Sequence, residues 1–219
     1  MRMRKKKNGA ARLEKCQELL AKPCETPIES SLYDFGCEAP LWLEIGAGKG
    51  GFARAMSARH PEICYYALER CADCIVLAAE ALAAERAADP TRPDNLRYLI
   101  DSADRLRERF AAGSVSRIYL NFSDPWSKKG YYKRRLTYRG YLAVYLELLS
   151  DGGELHFKTD NVGLFDFTLE ELAAMGLTPV ALTRDLHASE YNEGNVRTEY
   201  EERFSALGYP IHYLSIRKS

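Results

Sequence analysis

Residues 121–142, NFSDPWSKKGYYKRRLTYRGYL, set one carboxylate, Asp124, directly before Pro125 and Trp126, then run through Lys128, Lys129, Lys133, Arg134, Arg135 and Arg139 with no further acid. Pro125 fixes its own φ and steers Asp124 away from helical backbone, so this carboxylate belongs on a stiff loop. Trp126, Tyr131 and Tyr132 offer flat apolar faces, on which a nucleobase stacks for about 1–3 kcal/mol. The basic side chains around them suit phosphates. A lone acid at the edge of such a surface fits contact with a folded nucleic acid. The competing reading is the charged start of a helix with aromatic residues in the core.

A second group lies in LEIGAGKGGF, residues 43–52. Gly46, Gly48 and Gly51 spell GxGxxG, and Glu69 follows about twenty residues on, as a dinucleotide site requires. Glu44 argues against a dinucleotide, because a carboxylate beside the glycine turn would face a pyrophosphate of like charge. S-adenosylmethionine reverses that sign: it carries an ammonium and a sulfonium and no phosphate. Glu44 then attracts, the glycines admit the cofactor close to the main chain, and Glu69 accepts from both ribose hydroxyls. Asp101 ends a third apolar run, where an acid can accept from an adenine amino group or cap the helix that begins near Ser102.

These residues need elements to hold them. Apolar runs rich in β-branched and aromatic residues stand at 41–45, 63–68, 96–100, 115–122 and 153–158, with helical patterns near 50–59, 71–88, 102–111 and 136–149. Alternation of this kind predicts an α/β, doubly wound, mainly parallel sheet, with ligands at the carboxyl ends of the strands. The stretch from Tyr209 predicts an antiparallel edge strand at the C-terminus. Residues 1–35 read as a basic N-terminal extension with one short amphipathic helix carrying Leu13, Cys16 and Leu20, and residues 36–219 as the catalytic domain. The opening MRMRKKK is either a solvated tail or an arm that touches phosphates.

The chain has 219 residues, 46% of them hydrophobic, and zero formal net charge, so a polyanion partner has to be sought in local clusters rather than in the total. No apolar run approaches a membrane span and no signal peptide follows the basic start, which predicts a cytoplasmic protein. The six cysteines include one CxxC pair, Cys71 and Cys74, without a second pair or histidines at ligand spacing. They read as reduced thiols, with no metal.

The blocks LEIGAGKGGF, ALER, FSDPWSKKGYYKRRLTYRGYL, HFKTDN and TEYEERFSALGYPIHYL together resemble the bacterial tRNA (guanine-N7)-methyltransferase family along nearly the whole chain. The glycine motif is shared by many methyltransferases; DPWxKK followed by KRRLT, with the late TxYE, is far more specific. The resemblance implies a Rossmann-like class I methyltransferase fold and methylation of N7 of the guanosine at position 46 in the tRNA variable loop. It implies S-adenosylmethionine contacts by Glu44, Gly46, Gly48, Glu69, Asp101 and Asp124, and substrate contacts by Lys128, Asp160, Thr198 and Glu201. The expected partner is tRNA, not DNA, and the protein is expected as a monomer or homodimer. Departures from the family pattern are Ser123 and Ser127 in place of prolines, and Gly130, Tyr131 and Tyr132 in place of basic residues or histidine. The third-strand contact is Asp101 or Ser102.

The chemistry also follows from the substrate alone. Guanine N7 offers a lone pair and carries no proton, so methyl transfer to it needs alignment and a suitable field rather than a general base. Asp124, the candidate catalytic residue, would stabilise positive charge arriving on the purine and accept from guanine N1–H or the exocyclic amine. Asp160 and the Thr198–Glu201 turn either hold another edge of the base or cap the helices that follow them. Competing functions are an NAD-dependent oxidoreductase, a non-catalytic RNA-binding module, and a methyltransferase acting on another RNA or amino nitrogen.

Overall fold

The computed structural model describes residues 5–219. Part of the basic start, residues 1–4, lies outside the described residues. The chain forms two compact units, the first ending at Ala111 and the second running from Ala112 to Ser219.

In the first unit, β1 (Leu41–Ile45), β2 (Cys64–Glu69) and β3 (Leu96–Ile100) are parallel, with Leu43 beside Tyr66 and Ala67 beside Tyr98. Every residue of β1 is buried, which is why its sequence, LWLEI, reads as an apolar run broken only by Glu44 rather than as an alternation. Helix α1 (Gly9–Glu14) and a 3₁₀ turn at Gln17–Leu19 precede α2 (Leu32–Phe35); α3 (Gly51–Arg59) and α4 (Ala72–Ala88) follow β1 and β2. Ile75, Ala79 and Leu82 of α4 are wholly buried. The expected helix at 102–111 is a 3₁₀ turn, Ala103–Arg105, running into the short α5 (Leu106–Arg109).

The N-terminal segment does more than form a helix. Helix α1 stops at Glu14, and Leu20 is extended, forming a parallel bridge with Tyr98 while Ala21 N–H donates to the Tyr98 carbonyl at 2.8 Å. It thereby occupies hydrogen-bonding groups on β3 that would otherwise stand open. A bidentate ion pair from Arg12 to Glu80, 2.6 Å on both branches, fixes α1 to α4.

In the second unit, β4 (Val115–Asn121) and β5 (Leu149–Thr159) are parallel, β7 (His212–Arg217) runs antiparallel to β5, and β6 (Ala181–Thr183) runs antiparallel to β7. Its helices are α6 (Arg139–Leu148), α7 (Val162–Ala174) and α8 (Glu199–Ser205). The strand order is β3-β2-β1 in the first unit and β4-β5-β7-β6 in the second. This is the mainly parallel, doubly wound α/β sheet that the alternation predicts. The C-terminal strand is antiparallel as expected, but the three-residue β6 takes the outermost place beyond it.

Candidate active site

In the first unit the site residues gather at the carboxyl ends of β1 and β2. Glu44, the fourth residue of β1, is 2% exposed. The chain then turns through Gly46, Gly48 and Gly50, with φ of 85°, 56° and 70°. At Gly46 and Gly48 a side chain would enter open space, with no atom within 4 Å of an added Cβ, so the backbone angle demands glycine and leaves an uncovered cradle. Gly50 is different: a Cβ there would lie 2.7 Å from the Tyr98 hydroxyl and 3.0 Å from the Ala78 Cβ. The GxGxxG spacing named Gly51, but Gly51 is the first residue of α3 and Gly50 makes the turn.

Glu69 closes this loop from below. Its carboxylate accepts from Gly48 N–H at 3.0 Å and from Cys71 N–H at 2.9 Å, one oxygen each, while Gly46 and Ala47 N–H donate to the Leu68 carbonyl at 2.8 and 3.0 Å. Each carboxylate oxygen keeps acceptor capacity for a further donor. Behind the loop, Arg54 donates to the Lys49 carbonyl at 2.8 Å and is held by Glu85 at 2.7 Å. Asp101, at the end of β3, is 9% exposed and turned toward its own unit: it accepts from Ser102 N–H at 2.8 Å and from Arg109 Nε at 2.5 Å, with Arg105 at 3.5 Å. Ser102 caps the following 3₁₀ turn through Asp104 N–H.

This arrangement suits S-adenosylmethionine. The cradle is open where the glycines are, a buried carboxylate that attracts cations stands near the end of the strand before it, and a second carboxylate keeps acceptor capacity on both of its oxygens. A pyrophosphate in the same place would meet Glu44 with like charge.

In the second unit, β4 runs out into a strained loop. Phe122 and Trp126 have φ of 52° and 41°, uncommon for residues other than glycine and worth about 1–3 kcal/mol of strain each. Asp124 stands exposed between them, with no regular secondary structure over 123–127. Phe122 N–H donates to the Lys158 carbonyl at 2.9 Å, fastening the loop's entry to β5. At its exit, Arg135 Nε donates to the Pro125 carbonyl at 2.8 Å, and its guanidinium lies 4.3 Å from the Phe167 ring centroid on α7. The Arg134 guanidinium sits 5.1 Å from Trp126 and 4.7 Å from Tyr131, rings that themselves meet edge-on. Arg139 pairs with Glu171 at 2.9 Å. Lys128, Lys129 and Lys133 are exposed. Within the basic run that the sequence presents as one phosphate-binding surface, Arg134, Arg135 and Arg139 make contacts inside the protein, and of the six basic residues only Arg135 is half-buried, the others being exposed.

Asp160 follows β5 directly, and Asn161 caps α7 by accepting from Leu164 N–H at 2.8 Å. Burial, and then the Asp160 charge, raise the Tyr200 hydroxyl pKa; Tyr200 stacks on Phe204 at 4.1 Å and meets Phe122 at 4.9 Å. Thr198 and Glu201 form a capping box at the start of α8. Glu201 is wholly buried and accepts from Lys158 Nζ at 2.7 Å, from Asn195 Nδ2 at 2.8 Å and from Thr198 N–H at 3.4 Å, with His187 Nε2 at 2.8 Å. Lys158 is 4% exposed and donates also to Asn195 Oδ1 and the Val196 carbonyl, both at 3.0 Å. Burial pushes the Glu201 carboxyl up, but the Lys158 charge and the hydrogen bonds from Lys158, His187 and Asn195 outweigh it and hold it low. Thr198 and Glu201 thus spend their polar atoms on the cap and on β5. Lys158, His187 and Asn195 complete this network, and the sequence pattern singles out none of the three as site residues.

The open glycine cradle, the buried strand-end acid and the doubly wound sheet define a class I methyltransferase that uses S-adenosylmethionine. The family described as "Putative methyltransferase" matches residues 38–214. Proteins named tRNA (guanine-N(7)-)-methyltransferase are similar throughout: one from Limosilactobacillus reuteri is 46% identical over 180 residues, 82% of this chain and 82% of that protein, and one from Bacillus subtilis is 44% identical over 178 residues, 81% and 80%. The chain belongs to the tRNA (guanine-N(7)-)-methyltransferase family. Among solved structures, the 16S rRNA methyltransferase KamB shares the fold at a TM-score of 0.64 and 16% identity, over 92% of this chain and 98% of that one. Phosphoethanolamine N-methyltransferase 2 of Haemonchus contortus, solved with S-adenosylmethionine, does so at 0.51 and 12%, over 96% and 52%.

Proposed function

We propose that this chain methylates N7 of the guanosine at position 46 in the variable loop of tRNA, in the cytoplasm. Family membership supports the reaction class, and no helix among the described residues is long and apolar enough to cross a membrane. The observation that carries the reading is the strained loop: Asp124 is held between two non-glycine residues at positive φ, at the end of a strand and beside an aromatic and lysine-bearing surface. S-adenosylmethionine supplies an electrophilic methyl group. Glu44 attracts its cationic end, Gly46 and Gly48 leave room for it, and Glu69 accepts from its ribose. Asp124 and Asp160 face the guanine, accept from N1–H or the exocyclic amine, and offset positive charge arriving on the ring. No side chain takes a proton from N7, which has none to give. Asp101, or Ser102 beside it, borders the adenine end. Lys128, with Lys129 and Lys133, contacts phosphates. Thr198 and Glu201 act on the substrate by fixing the start of α8, which carries Tyr200.

The test is to incubate the protein with methyl-labelled S-adenosylmethionine and unmodified tRNA, digest to nucleosides, and repeat with tRNA in which G46 is replaced by A. Label in 7-methylguanosine that disappears with the replacement is expected. Label in any other nucleoside overturns the substrate, and label that survives the replacement overturns the position.

A further inference from the structure

We propose that Arg135 is a positioning residue for the Asp124 loop and not a phosphate contact. The inference rests on the reading of Asp124 given above and adds what holds that carboxylate in place. The loop carries two positive φ angles at residues that disfavour them, so it keeps its path only where neighbouring groups determine it. Its entry is fastened by the backbone bond from Phe122 to Lys158. Pro125, next to Asp124, has no N–H, and its single backbone polar group, the carbonyl, accepts from Arg135 Nε at 2.8 Å. The same guanidinium lies over Phe167, 4.3 Å from the ring centroid, on the helix that begins just after Asp160. One side chain therefore links the backbone beside Asp124 to the element that follows Asp160. A guanidinium suits this double contact, because it can donate to a carbonyl in its plane while its face meets a ring; a lysine ammonium is a compact point charge that does not combine the two at one fixed geometry. Arg135 is half-buried, in contrast to the exposed Lys128, Lys129 and Lys133.

The two roles separate experimentally. Arg135→Lys keeps the charge and loses the stacked bond, and Arg135→Met keeps much of the apolar stem. For each, single-turnover methyl transfer at saturating tRNA and cofactor, tRNA affinity as a function of salt, S-adenosylmethionine affinity and the thermal midpoint are measured. A positioning role gives a rate lowered roughly 10- to 100-fold in both variants, with the slope of log affinity against log salt and the cofactor affinity unchanged. A phosphate contact gives a salt slope smaller by about one in Arg135→Met, a preserved slope in Arg135→Lys, and near-normal rates once tRNA saturates; that outcome overturns the proposal. So do rates within about twofold of wild type in both. Phe167→Leu guards against a folding artefact: it removes the stacking face with no change of charge and is expected to lower the rate in the same direction. Because the rate is read as total methyl transferred, it reports on Arg135 even where the nucleoside assay shows a base other than G46.

Discussion

Removing Lys158 tests the buried polar cluster around Glu201. Its ammonium and the Glu201 carboxylate are 2.7 Å apart, with side chains 5% and 0% exposed. Lys158→Met keeps the length of the side chain but leaves a carboxylate sealed from water with only His187, Asn195 and the Thr198 N–H for company. Breaking a buried pair from one side typically destabilises by about 3–5 kcal/mol. For a chain of this size each kcal/mol moves the midpoint by about 2–4 °C, so a fall of roughly 6–20 °C is expected. Urea unfolding followed by circular dichroism gives the free energy, and following tyrosine fluorescence in parallel tests whether the transition is two-state. The pH dependence has a definite sign. In the wild type the Glu201 carboxyl is held low, so its stabilisation is present above the unfolded glutamate value, about 4.3, and is lost as pH falls through the lower folded value. In Lys158→Met the burial penalty is no longer offset, the carboxyl titrates higher, and protonation relieves the defect. The gap between wild type and variant should therefore be widest near neutrality and narrow toward about pH 4. Lys158→Met with Glu201→Leu should recover much of the loss, since neither charge is then left alone. A gap under about 1 kcal/mol at pH 7, or one that widens in acid, refutes the reasoning.

Further outcomes follow from the same geometry. Glu44→Gln should weaken S-adenosylmethionine binding about 10- to 100-fold by calorimetry while tRNA affinity stays within twofold, because only the charge facing the cationic cofactor is removed; a parallel loss of tRNA affinity would mean the residue serves the fold instead. Gly50→Ala combines a φ of 70° with a Cβ placed 2.7 Å from the Tyr98 hydroxyl, and should cost at least tenfold in cofactor affinity, whereas normal affinity would show that the turn can re-form. Replacing Lys128, Lys129 and Lys133 together by Ala should lower tRNA affinity and reduce the salt slope by about 2–3, and an unchanged slope would put the phosphates elsewhere. Asp124→Asn should lose much of the single-turnover rate and the wild type should be nearly flat from about pH 6 to 9; a steep wild-type limb that vanishes in the variant would instead mark Asp124 as a general base.

Different parts of this molecule were legible in the sequence for different reasons. The bounds of β1 and β3 coincide with the apolar runs at 41–45 and 96–100, because these parallel strands are almost wholly buried and only Glu44 and Arg97 interrupt their apolar residues. Residues 149–152 of β5 were not legible, since Ser150, Asp151 and Gly152 look like a turn. The bridge at Leu20 was also hidden: it depends on a distant partner, Tyr98, and a leucine reads equally well as helix. The glycine loop was read to within one residue, and the error has a cause. Spacing marks which glycines are present but not which of them must avoid a side chain, and that is decided at Gly50 by Tyr98, 48 positions away.

Charge was the hardest property to read. Six basic residues within 128–139 look alike on paper, and composition argues that they serve a polyanion together. What separates them is the availability of fixed partners of the right shape: a carbonyl at Pro125 and rings at Phe167, Trp126 and Tyr131 suit a planar guanidinium, and a carboxylate at Glu171 takes Arg139. The lysines have hydrated, compact charges that gain little from such partners and stay outside. The choice of Arg over Lys within the stretch is thus itself a signal, because arginine is favoured where a side chain must bond in its plane and stack on its face at once. By that rule KKGYYKRR divides between its third lysine and its first arginine: the lysines offer exchangeable contacts to a mobile polyanion, and the arginines fix the loop on which Asp124 acts.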